Sequence, residues 1–164
     1  MGISVSPLQA PPYSNVIELG VNPPGLAASS LISGSAGRQF SVRVEQPAAK
    51  WVAAALERIE ELTALARGWD GYDAKPIDAT VAVQAVRFVL DHAYPTVPQP
   101  AIVPSADGGI QIEWHRGGLD FEVSISDHES TVYVADHEQG TSEERPGAEA
   151  TIMFSNLFGR LARA

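Results

Sequence analysis

The sequence predicts an α+β domain: an antiparallel β-meander of three to four strands, with two central helices and a C-terminal helix packed on one face. Three observations predict it. Apolar residues recur at helical spacing between residues 47 and 92, the period switches to two between residues 102 and 134, and an amphipathic stretch closes the chain. Helices grouped apart from strands, rather than alternating with them, belong to α+β folds.

Residues 1–37 are rich in Pro, Gly and Ser, with Pro11-Pro12 and Pro23-Pro24 as breakers, and read as an irregular arm with one short strand at Asn15–Leu19. Phe40, Val42 and Val44 then alternate with Ser41, Arg43 and Glu45, which marks a strand over Gln39–Glu45. A helix is expected from Pro47 to Arg67. Proline suits a first helical position because its missing N–H has no partner there, and Val52, Leu56, Ile59 and Leu62 form the apolar stripe. Gly68 is expected to end this helix. A second helix is expected over Ala79–His92, capped by Asp78 and stopped by Pro95.

Beyond the connector Pro95–Pro100, Ile102 and Val103 begin a strand and Asp107-Gly108-Gly109 reads as a turn. Ile110, Ile112 and Trp114 alternate with Gln111, Glu113 and His115. Gly117-Gly118 is a two-residue hairpin signal. A turn there sets Arg116 opposite Leu119, His115 opposite Asp120, Trp114 opposite Phe121, Glu113 opposite Glu122, Ile112 opposite Val123 and Ile110 opposite Ile125. Apolar then meets apolar along the hairpin, which supports this register. Val132 and Val134 continue the pattern, with Tyr133 on the polar face beside Glu122. The expected division is therefore an arm over 1–37, a core over 38–136, an acidic loop over 137–147 and an amphipathic helix over 148–164. Met153, Phe154, Leu157, Phe158 and Leu161 make that last helix's stripe.

Composition narrows the chemistry. The chain has no cysteine, which excludes disulfides, thiolate metal sites and a thiol nucleophile and suits a cytoplasmic setting. Eleven Lys and Arg face twenty Asp and Glu, a formal net charge of −9. The basic residues are scattered singly, so nucleic-acid binding is not expected. No apolar run approaches the ~20 residues of a membrane span, and the start lacks the pattern of a secretory signal. No cofactor or metal is expected.

The most distinctive stretch is Arg67-Gly-Trp-Asp-Gly-Tyr-Asp-Ala-Lys-Pro-Ile77. Together with the Pro-rich connector and Asp107-Gly-Gly-Ile-Gln-Ile-Glu-Trp114, it resembles a group of small bacterial proteins that share a helix, a Gly-Trp-Asp-Gly turn, a second helix and a short meander. The likeness spans Leu56 to Asp136. It implies the same architecture and a bacterial origin, and no activity, since none is established for that group. In physical terms Trp69 is expected to plug the seam between helices and sheet, and Asp70-Gly71 to make a tight turn. Asp70 and Asp73 lack the spacing of a calcium loop.

Function is sought on the meander's polar face. Glu113, His115, Asp120, Glu122 and Tyr133 should lie there, with the carboxylates exposed and Trp114 buried behind them. Phe154 and Phe158 are the second candidate surface, for a partner's groove, although the sheet's own need of cover favours the core for them. His92 should lie at a helix end, where a positive imidazole would be favoured by the dipole, and the four histidines should be unrelated surface residues. Three classes of function fit. The first is a non-enzymatic module that binds a protein partner, basic in character, as an antitoxin, an immunity-type inhibitor or an assembly subunit would. The second is a small hydrolase or metal-dependent enzyme using His115, Asp120 and Glu113, or Asp70 and Asp73. The third is a structural component of a phage or mobile element. The absence of catalytic spacing beside a strong negative charge favours the first, and a homo-oligomer is compatible with it.

Overall fold

The structure, a computed structural model, describes residues 19–20, 27–33, 39–45, 49–92 and 94–163, the first three segments as backbone. In those segments β1 (Leu19–Gly20), β2 (Ala27–Ser33) and β3 (Gln39–Glu45) form a three-stranded sheet of order β1-β3-β2. Strand β3 runs parallel to β1 and antiparallel to β2. The alternating segment thus has its own sheet, and a strand occupies 27–33 where the sequence reads as irregular. Ala-Ala-Ser-Ser carries no contrast between faces, so a period of two is invisible there. Of the strand expected at Asn15–Leu19, all but Leu19 lies outside the described residues.

Helix α1 spans Val52–Thr63 and α2 spans Ala79–Asp91. The first ends four residues before the expected Arg67 and begins at Val52, while the expected start at Pro47 lies outside the described residues. Ala64 closes it, and residues 64–69 continue as separate turns, with Leu65 N–H on Leu62 O and Trp69 N–H on Ala66 O. Gly68 belongs to the following loop and does not cap the helix. The expected stripe of α1 is buried. Helix α2 begins as expected: Asp78 Oδ1 accepts from Thr80 N–H at 2.8 Å.

The main sheet has five antiparallel strands in sequential order: β4 (Ala101–Pro104), β5 (Ile110–Arg116), β6 (Leu119–Ile125), β7 (Ser130–Asp136) and β8 (Thr141–Pro146). The β5–β6 register is the one the Gly117-Gly118 turn dictates, with Trp114 opposite Phe121 and Glu113 opposite Glu122. Both turn glycines have positive φ, 58° and 70°, as a two-residue turn matching the strand twist requires.

Strand β8 corrects the expected acidic loop over 137–147. Its Thr-Ser-Glu-Glu-Arg-Pro is exposed throughout, so neither face imposes an apolar alternation. Charge and proline here also blunt an open sheet edge against stray pairing. At the opposite edge Arg58 of α1 donates from Nε to Ile102 O at 3.1 Å.

The apolar face of β5, β6 and β7 is covered by α2 and by α3 (Thr151–Leu161), which follows a single 3-10 turn at Gly147–Glu149. Phe121 stacks on Trp114 at 5.2 Å between ring centroids and meets Phe158 edge-on at 5.5 Å. Asp136 ties the helix down. It takes Arg160 at 2.8 Å while its other oxygen accepts the N–H groups of Glu138 and Gln139. The Gln139 N–H foremost, then Arg160, hold its carboxyl below the usual range against the opposing effect of burial.

Two indoles stitch the Pro-rich connector to this core: Trp51 Nε1 donates to Val97 O at 2.7 Å and Trp114 Nε1 to Pro98 O at 2.8 Å. Trp69 does not fill the helix–sheet seam. It is half-buried and donates from Nε1 to Lys75 O, closing its own loop, while Leu62 and Ile77 pack the core beside it.

Candidate functional site

Strand register decides which side chains share the solvent-facing side of the main sheet. One cross-strand row runs Ala101, Glu113, Glu122, Tyr133, Glu144. The neighbouring row carries His115 and Asp120, and the row on the other side Gln111, Ser124 and Thr131. Among the described residues of these rows there is no Lys or Arg. The face is acidic, with Tyr133 standing partly exposed at 37% in its middle.

The carboxylates are less exposed than expected, Glu113 retaining 19% of its side-chain surface and Asp120 30%. Hydrogen bonding lays them along the sheet. His115 places Nδ1 2.8 Å from Asp120 Oδ1 and Nε2 3.2 Å from Glu113 Oε2. Gln111 Nε2 donates to Glu122 Oε2 at 2.7 Å. His137 adds Nε2 at 2.6 Å from Asp120 Oδ2.

His115 and His137 are therefore partners through Asp120 and not unrelated surface residues. The β7–β8 turn folds back over the β5–β6 turn, with His137 N–H on Gly118 O, and this brings His137 in. Asp136 pairs with Leu119, so position 137 overhangs the hairpin mouth. Extending the register to β7 brings position 137 to the hairpin mouth, but it does not place the side chain on Asp120.

Both imidazole nitrogens of His115 face carboxylates, so the ring satisfies both contacts only as an imidazolium. The bond to Asp120, then that to Glu113, raises its pKa above 6.5. Asp120 is correspondingly held below 3.8, by His137 first and His115 second. A raised histidine contributes stability that is whole below its unfolded pKa and is lost as pH rises through the folded value. A depressed aspartate contributes stability that is whole above its unfolded pKa and is lost as pH falls through the folded value. The cluster is thus most favourable between the carboxylate range and the raised histidine value. In an NMR titration His115 is expected to show a midpoint above 6.5, the ordinary value. Asp120→Asn should bring it back down, and an unchanged midpoint in that variant would mean the contact does not persist in solution.

Asp70 and Asp73 are committed elsewhere. Asp70 Oδ1 accepts from the N–H groups of Tyr72 and Ala74, and Asp73 Oδ1 takes both Nε and Nη2 of Arg67. Among the described residues, no group of three or more His, Asp or Glu side chains is arranged to hold a metal ion. His92 is not a charged helix cap. Its half-buried ring lies among Phe88, Phe154 and Phe158 at 4.3–5.1 Å, Nδ1 faces Phe88 O, and burial lowers its pKa. His128 stands exposed beside Asp127. Phe154 and Phe158 are buried in this domain's own core, at 8% and 4% exposure.

A cavity of about 300 Å³ lies under α2 against β6 and β7, lined by Phe88, Val123, Ile125, Val132 and Phe154 with Arg87 and Asp91 at its rim. It opens on the apolar side of the sheet, so this cleft and the ionisable cluster are on opposite faces. No family model, curated protein or solved structure matches the chain. The functional reading rests on the residues themselves. No helix among the described residues is long and apolar enough to cross a membrane.

Proposed function

We propose that the protein is a non-enzymatic binding module whose acidic sheet face docks a basic surface of a partner protein. One observation carries the reading. Glu113, Glu122 and Glu144 lie in one cross-strand row, two of them directly opposed, with no Lys or Arg among the described residues of that face. Like charges set opposite each other destabilise a sheet; His115 and Gln111 offset part of that repulsion, and an arriving basic surface relieves the rest. Tyr133, between Glu122 and Glu144, supplies an aromatic anchor of the kind that interface centres favour. The rigid sheet fixes these groups in advance, so little ordering entropy opposes docking. An antitoxin, an immunity-type inhibitor or an assembly subunit would each use such a face.

The same geometry weakens the enzymatic alternative. An imidazolium held between two carboxylates has no free nitrogen to accept a proton, and it sits on an open surface away from the cavity.

The test is capture of partners from the native host, followed by binding kinetics at graded salt. Attraction over a Debye length of about 8–10 Å should make association slow as salt rises, more than dissociation quickens. Glu113→Lys with Glu122→Lys should slow association by roughly tenfold or more at low salt. A control reversing Glu57 and Asp91, which changes the net charge equally on α1 and α2, should stay near wild type. Equal effects of the two pairs would assign the attraction to net charge alone and sink the docking face.

A further inference from the structure

The Gly-Trp-Asp-Gly loop plays no part in that acidic face, yet its backbone is closely bonded. Gly68 N–H donates to Ala74 O at 2.8 Å and Gly71 N–H to Gly68 O at 2.9 Å. Asp70 Oδ1 gathers the N–H groups of Tyr72 and Ala74, at 2.9 and 3.2 Å. Arg67 clamps Asp73 across the base, Trp69 Nε1 reaches Lys75 O, and Lys75 N–H donates to Ala106 O at 2.8 Å. Ala74 and Ile77, at 2% and 0% exposure, anchor the returning limb.

At the tip of this braced loop the Tyr72 side chain stands 89% exposed. Among the described residues its ring makes no hydrogen bond and no ring contact. What the fold requires of position 72 is met by backbone: its N–H binds Asp70, and its carbonyl lies against Gly68, where an added Cβ would come within 3.2 Å. A large aromatic carried into water on a braced backbone has no partner among the described residues. Rigid presentation of an aromatic side chain is how binding surfaces obtain anchor residues at low entropic cost.

We infer that the 67–75 loop is a second docking point, which inserts the Tyr72 ring into an uncharged, apolar-walled pocket of a protein partner. The charges around the ring specify that pocket. Arg67 is spent on Asp73, and Asp70 on backbone N–H groups. Lys75 and Asp70 balance in sign, so the loop offers no net field. A complementary pocket therefore has apolar walls and a hydrogen-bond acceptor for the phenol, and its affinity resists salt. This separates it from the acidic face.

The experiment compares wild type, Tyr72→Ala and Tyr72→Phe as the full chain, after thermal unfolding has shown equal midpoints. Each is used for capture from host extract at low and at high salt, and every copurifying protein is quantified. The expected result is a protein held by wild type at both salts, recovered about tenfold less by Tyr72→Ala and largely by Tyr72→Phe. Glu113→Lys with Glu122→Lys should leave that high-salt recovery in place. In the recovered complex, tetranitromethane should nitrate the exposed Tyr94 and spare Tyr72, whereas in the free protein both should react readily. Recovery independent of residue 72, no protein retained at high salt, or nitration of Tyr72 in the complex would each overturn the inference. Loss of all capture in the Glu113/Glu122 variant alone would do so too, while leaving the acidic-face reading intact. Loss in Tyr72→Ala alone would do the reverse.

Discussion

Phe121→Ala is expected to cost about 3–5 kcal/mol, measured as the loss of unfolding free energy in urea. The ring is fully buried and contacts the two layers that make the domain. It stacks on Trp114 within the sheet and meets Phe154 and Phe158 of α3 at 5.9 and 5.5 Å. Removing it leaves a cavity bounded by a pleated strand and a helix pinned by Arg160–Asp136, neither free to collapse inward. Trp69→Ala, though it deletes a larger side chain, should cost about 1 kcal/mol. Its indole is half-buried and its one bond closes a loop held by several others. A loss below about 1 kcal/mol at Phe121, or a larger loss at Trp69 than at Phe121, would show that α3 does not cover the sheet as described.

That contrast marks where sequence reasoning reaches and where it stops. The β5–β6 hairpin was legible residue by residue, because Gly117-Gly118 allows few turn geometries and one register sets Ile110, Ile112 and Trp114 opposite Ile125, Val123 and Phe121. Helix α2 was equally legible, as Asp78 and Pro95 bracket a wide apolar stripe. The same signals placed Glu113, His115, Asp120, Glu122 and Tyr133 on one face. Patterning fails where the sequence of an element carries no contrast between its two faces. Strand β8 is exposed on both sides, and β2 offers Ala and Ser to both, so neither carries a period. It also fails for large residues in irregular backbone. Trp69 and Trp114 look alike as hydrophobes, but alternation assigns a face only to Trp114. His137 was missed for a third reason: its contact with Asp120 joins the ends of two hairpins, and neither hairpin specifies the other's bend.

Gly108→Ala should lower stability by about 2–4 kcal/mol, because two independent demands meet at that residue. The first is conformational: Gly108 has φ 93°, in the region where a Cβ crowds the backbone. The second is a close approach. A Cβ there would come within 3.0 Å of Pro76 O and 3.3 Å of Lys75 Cβ, so it would push against the limb of the Gly-Trp-Asp-Gly loop. That limb cannot easily yield, since Lys75 N–H is bonded to Ala106 O and Ile77 is locked in the core. Gly71 separates the two effects. Its φ of 85° is similar, but an added Cβ would meet nothing within 4 Å. Gly71→Ala should therefore show the conformational cost alone, about 1–2 kcal/mol. The difference between the two variants in urea measures how firmly the loop that presents Tyr72 is seated on the β4–β5 turn. Equal losses at the two glycines would mean that the loop stands away from the sheet in solution, and the rigidity argued for Tyr72 would go with it.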